Sequence, residues 1–229
     1  MKRRFGTAPA NGTAETTRLA WWLALVAALV ALGYGSRVGS GKPAPDVLYQ
    51  WSTAIGGLVQ DAIVLAIVLA IAGFSTRVLA LRRPLSVSHA LVLAAAAVVA
   101  IYAFEGIYAA VVHPGNEQGL TPAHWEPAHA AAYVANGAVI CLWVPFVEEL
   151  TFRGLGYSLL SRFGRRPAIV AVGLLFGLAH GLVLTLPIIV VFGCILAWIR
   201  SRTGSVFPGM VVHGTFNLVA LVVAVTVHS

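Results

Sequence analysis

Residues 130–158 read AAAYVANGAVICLWVPFVEELTFRGLGYS. The stretch is longer than the roughly 20 apolar residues that cross a bilayer as a helix. It lacks the two-residue alternation of a barrel strand. Its only charged residues are Glu148, Glu149 and Arg153. An ionisable cluster inside such a run is costly in hydrocarbon and reads by default as functional. Working outward, further apolar segments lie at approximately 19–35, 54–74, 88–112, 168–183, 184–200 and 208–227. Every backbone amide must be paired within hydrocarbon, so each is read as a helix. The expected fold is all-α: a polytopic transmembrane bundle of about seven spanning helices.

Composition agrees. Of 229 residues, 59% are hydrophobic and 10% are charged, against roughly 25% charged in a soluble domain. The net charge of +7 does not point to nucleic acid, because the basic residues sit between apolar runs and set orientation instead. With the N-terminus inside, the cytoplasmic segments hold Lys2, Arg3, Arg4, Arg18, Arg77, Arg82, Arg83, Arg162, Arg165, Arg166, Arg200 and Arg202. The opposite side holds Arg37 and Lys42. This asymmetry predicts a multi-pass protein of the cell inner (plasma) membrane with a cytoplasmic N-terminus. The excess of Arg over Lys, with abundant Ala, suggests GC-rich bacterial coding. The first segment follows a long polar lead and precedes no small-x-small cleavage site, so it reads as a retained anchor. The chain divides into a polar N-terminal segment (1–18), N-terminal transmembrane helices (19–129) and a core of four transmembrane helices (130–229). No internal repeat is visible. Cys141 and Cys194 lie in apolar runs without a CxxC motif and read as small buried residues.

Three polar clusters lie at depth. Glu149 and Arg153 are four apart and share a helix face, which predicts an internal ion pair. Glu148 is rotated about 100° from that face and is free to meet a cavity; the alternative is a helix end where the charges are wetted. His180 closes Phe176-Gly177-Leu178-Ala179-His180, and alone it reads more readily as a structural histidine than as a catalytic one. His213 and Asn217, four apart, face the same way; alone they read equally as interhelical hydrogen-bonding groups. Counting inward from the Arg-rich boundary at about 1.5 Å per residue, Glu148, His180 and Asn217 lie about 20 Å deep and His213 about 14 Å. Three segments thus bring polar groups to one layer. The expected cavity lies among the last four helices and opens towards the cytoplasm.

Glu148-Glu149-x-x-x-Arg153, Phe176-x-x-x-His180 and His213-x-x-x-Asn217, in that order on membrane helices, resemble the motifs of the CPBP intramembrane endopeptidases. That family, also called the CAAX protease or Abi family, includes the type II CAAX prenyl endopeptidases. The resemblance covers residues 148–217 and implies catalytic roles for Glu148, His180, His213 and Asn217. Glu148 with His180 would activate a water, and His213 with Asn217 would hold the oxyanion. Glu149, Arg153 and Phe176 would support the site or bind substrate. The chemistry is consistent, since peptide hydrolysis needs a base for water and donors where negative charge develops. Zinc is the rival cofactor reading, because Glu148, His180 and His213 offer three ligands with one position open. The chain has no HExxH, and Asn217 serves as a donor without metal, so a metal-free glutamate mechanism is favoured, with no cofactor.

The expected partners are membrane lipid and a peptide or protein substrate, with no nucleic acid. Asp61 and Glu105 lie inside apolar segments and are candidates for lining the cavity. His113, His124 and His129 read as solvated loop histidines. Trp21, Trp22, Trp51, Trp125 and Trp198 read as an interfacial belt. Two other readings stand beside proteolysis: a non-catalytic membrane scaffold or bacteriocin self-immunity protein that keeps the fold, and a transporter. Transport predicts polar residues along a whole path, whereas here they concentrate in one layer.

Overall fold

The computed structural model describes residues 10–40, 46–120, 122 and 124–226. Lys2, Arg3, Arg4 and Lys42 lie outside the described residues. Seven helices run through them: α1 (Ala10–Ser40), α2 (Trp51–Ala72), α3 (Val87–Val112), α4 (Pro127–Phe163), α5 (Arg165–Ala179), α6 (Leu186–Thr203) and α7 (Phe207–Thr226). The all-helical expectation holds, and among the described residues there is no strand. Six of the helices are long and apolar enough to span a membrane. The exception is α5, whose 15 residues reach only about 22 Å. Large apolar side chains such as Leu32, Val99, Ile107 and Leu142 are exposed, which suits a surface facing lipid tails rather than water.

Successive helices run in opposite directions, which sorts the connections to two ends. At one end Arg82 donates to the Gly204 carbonyl, Arg165 to Ser201, and Ser158 to the Val78 carbonyl; Arg162 lies 3.9 Å from Glu15. Arg82, Arg162 and Arg165 thus gather at one end, the Arg-rich end. At the opposite end the loop after α3 meets the turn between α5 and α6, and Tyr34 donates to the Leu182 carbonyl. α1 reaches further than expected, starting at Ala10.

α4 is the spine of the site and is not uniformly α-helical. Val139–Trp143 and Glu149–Gly156 wind as π-helix, a wider turn frequent at functional sites. In the first of these the Val144 amide donates five residues back, to the Val139 carbonyl. The next donor in that register would be Pro145, which has no N–H. The Ile140 carbonyl is thereby left open, and the Asn217 side-chain amide fills it at 2.7 Å. One proline thus ties α4 to the α7 residue that the motif singles out.

Trp22 departs from the expected interfacial belt. It is fully buried, and its indole N–H donates to the Thr151 carbonyl at 2.9 Å. Trp21 and Trp51 are exposed, as a belt requires. Both cysteines are free thiols.

Candidate active site

Glu148, His180, His213 and Asn217 line one cavity of about 220 Å³, together with Ile140, Val144, Phe176 and Phe192. Glu148 projects from α4 at the junction with the second π-helical turn. His180 caps the C-terminus of α5. His213 and Asn217 stand one turn apart on α7. The Nε2 of His180 lies 3.9 Å from one Glu148 oxygen, and the Nε2 of His213 lies 3.6 Å from the other. These separations exceed direct hydrogen bonds and suit a small bridging molecule.

Each imidazole is oriented through its other nitrogen. The Nδ1 of His180 meets the Phe176 carbonyl at 2.8 Å. A carbonyl only accepts, so Nδ1 carries the proton. The Nδ1 of His213 lies 3.2 Å from Glu149 Oε1, the oxygen that also accepts from Arg153 at 2.8 Å. An ionised carboxylate paired with a guanidinium is again an acceptor. Both rings therefore turn Nε2 towards Glu148. Nε2 is a lone pair in the neutral ring and a donor in the protonated one.

The expected Glu149–Arg153 pair is present and fully buried. Neither residue is among the cavity-lining side chains. Arg153 also donates to the Gly193 carbonyl, and its guanidinium sits 4.0 Å over the Phe176 ring centroid. Phe176 in turn makes edge contacts with His180, His213 and Phe152. It joins the ion pair to both imidazoles. Gly209 leaves room for this arrangement, since a Cβ there would run into the Glu149 carboxylate.

The cavity does not open as the sequence reading expected. Its walls continue through Gln118, Leu120, Ala220 and Leu221, towards the end of the bundle opposite the arginines. On the Arg-rich side it is sealed by the buried run Glu149–Gly156. Counting residues from one boundary measures depth, but not which end side-chain packing closes.

Asp61 and Glu105 are not in the cavity wall. Asp61 has one buried oxygen without a hydrogen bond, and Glu105 lines a separate outer pocket with His113 and Glu117. His124 and His129 pair with Glu126 in the loop. Among the described residues no group of three His, Cys, Asp or Glu has the arrangement of a metal-binding cluster.

One residue that matters escaped the sequence reading. Glu117, in the loop after α3, accepts from the backbone amides of Val183, Leu184 and Thr185 and from the Thr185 hydroxyl at 2.7–3.1 Å. It thereby caps the N-terminus of α6 from another segment and fixes the turn that follows His180. Burial raises its carboxyl pKa, but the hydrogen bonds outweigh this and hold it below the ordinary value of 4.5. The same turn is held by Tyr34 and Tyr108, whose hydroxyls donate to the Leu182 and Leu184 carbonyls. Gly181 has positive φ (63°) and lies against Gly33 of α1: a Cβ on Gly181 would collide with the Gly33 backbone, and one on Gly33 would press tightly on Ala179 and Gly181. No sequence motif marks these contacts, because they run to main-chain atoms.

No curated protein and no solved structure matches the chain. Residues 130–219 match a family model described as type II CAAX prenyl endopeptidase Rce1-like. The matched region takes in Glu148, His180, His213 and Asn217 and the Glu149–Arg153 pair. It is a family of proteases, which agrees with the resemblance carried by the three motifs. Residues 130–219 of this multi-pass membrane protein are therefore similar to the Rce1-like CAAX protease family.

Proposed function

We propose that this protein is an intramembrane endopeptidase that hydrolyses a peptide bond of a membrane-associated or lipidated substrate with a water activated by Glu148. The observation that carries the reading is the convergence of two imidazole Nε2 atoms, 3.9 and 3.6 Å away, on one carboxylate in a cavity within the bundle.

Glu148 takes a proton from a water held between it and His180, and the resulting hydroxide attacks the scissile carbonyl. Negative charge then develops on the carbonyl oxygen. The second N–H of the Asn217 amide, beyond the one given to Ile140, is available to it. His213 donates from Nε2 when its ring is protonated, and Glu149 behind Nδ1 stabilises that cation. Glu148 passes its proton to the leaving amine as the tetrahedral intermediate collapses. Arg153 and Phe176 position Glu149 and the two rings; Arg153 stands outside the cavity wall, whereas Phe176 forms part of it. No cofactor enters this scheme. The inner membrane, with the Arg-rich end in the cytoplasm, is the proposed location.

The test is cleavage of an internally quenched peptide in proteoliposomes by wild type, Glu148→Ala and His180→Ala. Removing a general base costs roughly 10²–10⁴-fold in rate, so Glu148→Ala should be inactive at this sensitivity, with His180→Ala strongly impaired. Equal rates in all three eliminate the mechanism. Wild-type activity should survive a zinc chelator, and its loss with recovery on adding zinc would replace the metal-free scheme.

A further inference from the structure

We propose that the catalytic cavity opens on the non-cytoplasmic side of the membrane. Its substrates are then peptide segments close to the outer leaflet, the extracytoplasmic juxtamembrane parts of membrane-anchored proteins. The substrate class rests on the proteolytic reading above; the direction of opening does not.

Two independent observations meet here. The first is charge. Among the described residues Arg18, Arg77, Arg82, Arg83, Arg162, Arg165, Arg166, Arg200 and Arg202 lie at or next to connections of one end, and Arg37 is the basic residue of the other. Arg18 approaches Gly73 at the end of α2, and Arg82 reaches Gly204 at the end of α6, so this grouping is spatial as well as sequential. An excess of arginine in short connections marks the cytoplasmic side. The end away from the arginines carries Asp46, Glu117 and Glu126 in its loops, and Arg37 there is taken up by Glu117.

The second observation is shape. From Glu148 the cavity runs past Ile140 and Val144 of α4 and Ala220 and Leu221 of α7, and reaches Gln118 and Leu120 of the loop after α3. All lie between Glu148 and the acidic end. In the other direction Arg153 and Glu149 are fully buried, and Leu150, Phe152 and Leu155 pack with them. A peptide therefore reaches the carboxylate from the acidic end. If that end faces away from the cytoplasm, a cytoplasmic chain end has no path to the site.

The experiment uses a variant without cysteines (Cys141→Ala, Cys194→Ala) and adds one cysteine at a time. Gln118→Cys reports the cavity mouth, and Arg83→Cys reports the Arg-rich end; both positions are exposed. Spheroplasts of a bacterial host are treated with a disulfonated, membrane-impermeant maleimide. The account expects labelling of Gln118→Cys before lysis and of Arg83→Cys only after lysis. The reverse pattern, or equal labelling of both, overturns it. Two bitopic reporters of equal sequence, with the cleavable segment outside or inside, then test substrate side. Cleavage of the outer reporter alone is expected. Cleavage of the inner one overturns the proposal, whereas cleavage of neither counts against proteolysis and leaves the labelling result to decide the direction.

Discussion

The two halves of the bundle do different work. The region 130–219 holds every side chain that meets in the cavity through a motif, whereas the region before it holds the braces. Trp22 supports the second π-helical turn of α4 through the Thr151 carbonyl. Gly33, Tyr34, Tyr108 and Glu117 hold the turn after His180. The core keeps chemistry on side chains with a distinctive type and spacing. The N-terminal part acts on main-chain carbonyls and amides, for which many side chains serve.

The sharpest way to separate core from brace is to break each in turn. Arg153→Met strands the Glu149 carboxylate in a site where both partners are fully buried. Breaking one side of a buried pair costs about 3–5 kcal/mol. The thermal midpoint in detergent should fall sharply, and His213 should lose its orientation. An unchanged midpoint would mean that the pair is not a structural element of the core.

A smaller effect is expected from Glu117→Ala. Hydrogen bonds to a charged acceptor contribute about 1.5–3 kcal/mol, and here they fasten a turn rather than the whole bundle. The catalytic rate should fall more than the midpoint does, because His180 caps the helix that the turn ends. The wild type supplies a pH counterpart. A carboxyl whose folded pKa lies below its ordinary 4.5 stabilises the fold above that value. The contribution is lost as pH falls through the lower folded pKa. Below pH 4.5 the wild type should therefore lose order at the 183–185 turn, seen as faster amide exchange there, while Glu117→Ala shows no such step.

Tyr108→Phe should have the smallest effect. It removes one hydrogen bond of 2.7 Å at an exposed position, where a neutral bond contributes about 0.5–1.5 kcal/mol. A rate loss as large as that of Glu117→Ala would show that the turn has no hierarchy of supports.

Much of the fold was legible because bilayers impose a length and a pattern. The apolar runs gave the helices, and the i,i+4 spacing gave the Glu149–Arg153 pair. The rotation of Glu148 away from that pair, read from helical geometry alone, agrees with its place in the cavity wall. What was not legible depends on packing. Trp22 has the composition of an interfacial residue but fills a space beside Gly156. The opened Ile140 carbonyl needs both Pro145 and a local change of helical register, and only the second is invisible in the residues. The direction of the cavity mouth depends on which side of Glu148 is filled by Phe152, Phe176 and the buried ion pair, and neither depth nor charge reports that.

The central claim is that adjacent glutamates divide the labour: Glu148 reacts, and Glu149 positions. Glu148→Gln and Glu149→Gln are nearly isosteric, so one pair of measurements, peptide cleavage in proteoliposomes and the thermal midpoint in detergent, tests it. The account predicts that Glu148→Gln abolishes cleavage at a wild-type midpoint, and that Glu149→Gln lowers the midpoint together with the rate. A Glu148→Gln protein that folds and still cleaves at the wild-type rate would contradict it.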